Sequence, residues 1–77
     1  MAQYYFDVEV DGKSTRDEEG IPEADIEAAQ GEAARLLCEL SKTFFKRRLN
    51  PSIAVEVRDE LGPVFRATLT FQFKRVN

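Results

Sequence analysis

The sequence holds no histidine and only one cysteine, Cys38, among its 77 residues. Those two shortages exclude much of enzymatic and metal chemistry. A Ser or Cys nucleophile usually needs an imidazole base beside it, and tight transition-metal sites draw on imidazole and thiolate ligands. A single thiol also rules out an internal disulfide framework. No apolar run is long enough to span a bilayer, so no membrane association is expected. Met1-Ala2-Gln3 leads directly into strand-like sequence, with no basic stretch before an apolar one. No signal peptide is therefore expected, and the cytoplasm is the expected compartment. An excess of positive charge is missing too. Eleven Lys and Arg against 14 Asp and Glu leave a net charge of −3, which disfavours a general nucleic-acid binder. Repeats, low-complexity tracts and linkers are absent, so residues 1–77 are read as one small domain.

What is present is patterned. Tyr4, Phe6, Val8 and Val10 alternate with Tyr5, Asp7 and Glu9, the period of a strand with one buried and one wet face. Asp11-Gly12 follows, a two-residue hairpin signal, and Lys13–Arg16 reads as a short polar return strand. Asp17 to Pro22 has no periodicity and reads as a loop. A helix is expected from about Asp25, a capping residue, to about Arg48, where Asn50-Pro51 stops it. Ile26, Ala29, Ala33, Leu36, Leu37, Leu40 and Phe44 fall in one arc about 100° wide, with Glu32, Arg35, Glu39, Lys42 and Lys46 opposite. Ser52–Arg58 alternates again. After an Asp59–Gly62 turn, Pro63–Lys74 does so with Phe65, Ala67, Leu69, Phe71 and Phe73 on one side. The fold class is α+β, in the order ββαββ: a single mostly antiparallel sheet with one long amphipathic helix packed on one face.

The aromatic-rich Tyr4-Tyr5-Phe6-x-Val8, then Asp11-Gly12, then Arg16-Asp17-Glu18-Glu19-Gly20 ahead of an Ala/Glu-rich helix, resembles a family of uncharacterised short proteins. These are abundant in rhizobia and related alphaproteobacteria and are known only as a domain of unknown function. The second hairpin, Val55-Glu56-Val57-Arg58-Asp59-Glu60-x-Gly62, is similar to the family as well, so the resemblance covers nearly the whole chain. It implies a fold and a bacterial cytoplasmic setting, and no activity. Members commonly carry histidine after the aromatic trio, whereas this chain has Asp7 there, so a role built on that histidine could not operate.

Four features compete as sites. Asp17-Glu18-Glu19 offers three carboxylates for a hard cation, but without the alternate spacing of an EF-hand, and it reads more simply as a solvated turn before a helix dipole. Lys42, Lys46, Arg47 and Arg48 form the one basic patch, suited to phosphate or to an acidic partner, and equally to the negative end of a helix dipole. The open sheet face shows one aromatic, Tyr5, among carboxylates, which is poor for stacking RNA bases. Ala34, Cys38 and Phe45 form a second apolar stripe about 80–120° from the core-facing arc at 100° per residue, with Gly31 beyond it. One sheet needs only the first stripe. A loop or the tail could cover the second, or another chain could.

The expectation is a small non-catalytic protein-interaction module. It requires no cofactor or metal and engages a protein partner or self-associates weakly through Gly31, Ala34, Cys38 and Phe45. The alternative is a nucleic-acid-binding accessory protein using the basic helix end, and a metal-dependent enzyme at the acidic loop is a minor third.

Overall fold

Alternation puts Tyr4 and Phe6 into the core and builds β1 (Ala2–Val10), the strand around which the sheet is organised. In the computed structural model, which describes residues 2–44 and 52–77, Asp11 and Gly12 both take positive φ, 53° and 83°. This is the pair of conformations a two-residue hairpin turn demands. The turn sets β2 (Lys13–Thr15) antiparallel to the second half of β1, with Val10 opposite Lys13.

The chain then leaves β1 over Arg16–Gly20 and returns as β3 (Ile21–Glu23), which pairs with the first half of β1, Tyr4 opposite Ile21. Without periodicity, Asp17–Pro22 is expected to be loop, and the structure instead makes a strand of Ile21–Glu23. Three residues are too few to show alternation, and Pro22 disguises the strand. A proline is tolerated here because β3 lies at the edge, where its missing N–H removes no ladder bond. The element order is thus one short strand richer than ββαββ.

β4 (Ser52–Asp59) pairs antiparallel with the other side of β1, from Tyr5 opposite Arg58 to Val10 opposite Ile53. β5 (Gly62–Thr70) returns beside β4. The sheet order is β2-β1-β4-β5, with β3 on the same side of β1 as β2. Central β4 contributes Ile53, Val55 and Val57, all fully buried. The expected strand to Lys74 ends instead at Thr70, because its partner begins there: Ser52 is opposite Thr70. Phe71 is half-buried and Phe73 is 63% exposed, so neither extends the inward row as expected.

Helix α1 (Ile26–Phe44) packs over β4, β5 and β3. Asp25 caps it, its carboxylate accepting from the Ala28 N–H at 2.8 Å. Ala29, Ala33 and Leu37 are buried, while Leu36, Leu40 and Phe44 are half-buried along one flank. Helical spacing puts Ile26 in the core-facing arc, whereas the structure leaves it 42% exposed. It opens the first turn, next to a cap residue that is itself exposed. The expected helical residues past Phe44 lie outside the described ones. Among the described residues, no helix is long and apolar enough to cross a membrane.

Candidate functional site

β2 and β3 leave a gap along β1. β3 covers residues 2–4 and β2 covers residues 8–10, so the strand between them has no ladder partner on that side. The Asp17 side chain fills the gap. Its Oδ2 accepts from the Phe6 N–H at 3.0 Å, and its Oδ1 accepts from the N–H groups of Glu19 and Gly20, both at 3.1 Å. The Asp17 N–H in turn donates to Asp7 Oδ1 at 2.8 Å. Arg58, opposite Tyr5 on β4, ties this together. Its Nε donates to Asp7 Oδ2 at 2.9 Å and its Nη2 to the Asp17 carbonyl at 2.6 Å. The guanidinium lies 4.5 Å from the Tyr5 ring centroid, a stacked cation–π geometry.

Burial pushes the Asp17 carboxyl up. The donors from Phe6, Gly20 and Glu19, with the Arg58 charge, outweigh that, and its pKa falls below the ordinary 3.8. Gly20 closes the loop at φ 76°, and a Cβ there would sit 2.9 Å from both Gln3 Nε2 and Tyr5 Cε1. Asp17 therefore points inward while Glu18 and Glu19 are exposed, so the acidic triplet does not converge on a point. Among the described residues, no group of three or more Asp, Glu, Cys or His is placed to hold a metal ion. The arrangement braces a loop and offers no open acid–base pair.

On the far side of the sheet the situation is reversed. β5 has β4 on one side, and among the described strands none on the other. A groove of about 430 Å³ runs between it and α1, with Ala34, Leu37 and Cys38 on the helix side and Phe65, Ala67 and Leu69 on the strand side. Gln30, Arg66 and Thr68 form its polar rim. The Arg66 side chain leans back across the sheet, its Nη2 3.0 Å from Glu9 Oε2 and its Nη1 3.6 Å from Glu56 Oε1.

The sequence-predicted interaction residues are thus partly assembled. Ala34 and Cys38, both exposed, lie together in this groove. Gly31 is exposed but is not part of the groove lining, and Phe45 lies outside the described residues. Of the basic patch, Lys42 is exposed and 3.7 Å from Glu39, one turn back. Lys46, Arg47 and Arg48 lie outside the described residues. The solvated back of α1 carries the Glu32–Arg35 pair at 2.7 Å, and the hydrogen bond from Arg35 holds the Glu32 carboxyl below its ordinary value. Sequence reading missed the Asp7–Arg58–Asp17 cluster, since its three residues meet only once the β1–β4 register is known.

A family model described as a domain of unknown function, DUF6894, matches residues 3–70. The chain belongs to the DUF6894 family. The DUF6894 match runs from β1 to the last residue of β5, so the braced loop and the groove both lie within the family's domain. No curated protein and no solved structure matches the chain.

Proposed function

We propose that this domain is a small non-catalytic protein-interaction module, and that it takes up an extended polypeptide segment along β5. One observation carries the reading: among the described strands β5 is a nine-residue edge beside an apolar groove, whereas the opposite edge is closed by two three-residue strands and a braced loop. An added strand would satisfy the outward backbone groups of β5, and its alternate side chains would enter the groove. The absence of histidine and the engagement of Asp7 and Asp17 in structural hydrogen bonds support a non-catalytic role. Against nucleic acid stand the net charge of −3 and Tyr5, whose ring is already stacked by Arg58. A bacterial cytoplasmic setting, in rhizobia and their alphaproteobacterial relatives, is proposed with it, on the resemblance drawn from the sequence.

The test is a titration of isotope-labelled protein with a blocked peptide of alternating Val and Thr, followed by amide resonances. Shifts confined to Val64–Thr70 and to the Ala34–Cys38 flank are expected. No response along β5 at millimolar peptide would refute the reading.

A further inference from the structure

The two edges of this sheet are guarded very differently. Natural sheets protect an edge with short strands, charges, prolines or interruptions. The β1 edge shows several of these: β2 and β3 have three residues each, β3 carries Pro22, and the chain between them bulges away. β5 has Pro63 only at its start. From Val64 to Thr70 its one charge is Arg66, and that side chain is drawn back over β4 toward Glu56 and Glu9. A seven-residue stretch of the edge therefore lacks a charge standing over it.

We infer that the segment taken up by β5 is β5 of a second copy of this chain, paired antiparallel about a twofold axis at Ala67. This inference rests on the interaction reading above and names its partner. Ala67 is the midpoint of Val64–Thr70, the proline-free part of the strand, so this register uses all of it. It sets Arg66 opposite Thr68 of the second copy, Phe65 opposite Leu69, and Val64 opposite Thr70. Centring on Arg66 would set two residues of like charge directly opposite each other across the seam, and centring on Thr68 would run Phe65 past the strand's end. In the chosen register directly opposed residues share a face, so the large Phe65 and Leu69 meet on the groove side with small Ala67 between them. The axis stands perpendicular to the sheet, both helices lie on one face, and Ala34 and Cys38 of each flank turn toward the other. A twofold contact of this kind closes on itself and does not propagate into a fibre.

Sedimentation equilibrium on the full chain, with two substitutions at one exposed position, tests the register. Thr68→Glu places a carboxylate opposite Arg66 twice per dimer and should tighten association, on the order of ten-fold at low salt. Thr68→Lys places a like charge there twice and should weaken it by a similar factor. Thr68 is exposed, so both variants should match the parent in circular dichroism. The gain from Thr68→Glu should also shrink in high salt. Opposite shifts support the pairing. Equal shifts, or none, overturn it. A parent chain that stays monomeric at millimolar concentration while the Val/Thr peptide still moves β5 resonances overturns the second copy as partner and leaves the module reading standing. A monomer with no peptide response overturns both.

Discussion

Removing the Asp17 carboxylate probes how the split edge is held. Asp17→Ala would strip the acceptor from three backbone N–H groups, those of Phe6, Glu19 and Gly20. Each would cost about 1–3 kcal/mol if fully buried. The residue is only half-buried, so water can reach the loop and the lower end applies, about 1 kcal/mol per group or about 3 in all. For a domain of this size that lowers Tm by roughly 12–24 °C. Asp17→Asn keeps the shape but replaces one acceptor oxygen with a donor, so it should lose much of the same energy. The pH dependence separates an ionic acceptor from a merely well-packed side chain. Because the folded-state pKa is lowered, the carboxylate's contribution is complete above its ordinary 3.8 and is lost as pH falls through the folded value. Urea unfolding of parent and Asp17→Asn should therefore show a large gap at neutral pH that narrows in acid. A gap that stays constant down to about pH 2.5 would refute the assignment.

Other expectations follow from the same geometry. Arg58→Lys cannot reproduce the fork to Asp7 and the Asp17 carbonyl or the stacking on Tyr5, and should cost about 1–3 kcal/mol in thermal unfolding. Gly20→Ala meets both a positive φ and a 2.9 Å clash and should destabilise by more than about 1 kcal/mol. Gly31→Ala, where an added Cβ meets nothing within 4 Å, should stabilise by about 0.5–1 kcal/mol, and paired melts of the two variants check the contrast. Leu37→Ala in the buried row should cost about 2–5 kcal/mol by urea denaturation, and half-buried Leu40→Ala roughly half as much.

Much of this architecture is written locally. Alternation marks β1, β4 and most of β5, Asp-Gly marks the first turn, and Asp25 marks the helix start, because each depends on neighbours one to four residues away. What escaped is non-local. β3 is visible only as a partner of Ala2–Tyr4, and the end of β5 is set by where β4 begins. The Asp7–Arg58 pair spans 51 positions, so no window along the chain contains it. The groove was half legible. Helical spacing separated Ala34 and Cys38 from the core arc, and only the strand order showed that an open edge lies beside them.

The position of β1 has a consequence for synthesis. It sits inside the sheet, yet it leaves the ribosome long before β4, its ladder partner along Tyr5–Val10. Asp7 and Arg58 are 51 positions apart, which at about 5–20 residues per second means a delay of roughly 3–10 s. During that interval the nascent β1–β2 hairpin can form, but Tyr4 and Phe6 lack β4, whose Val57 stands opposite Phe6 in the finished sheet. The domain therefore cannot mature from its leading end. A nascent chain stalled before Ser52 would present an uncovered apolar strand, the kind of surface that chaperones hold, and folding would complete in one late step when the second hairpin arrives.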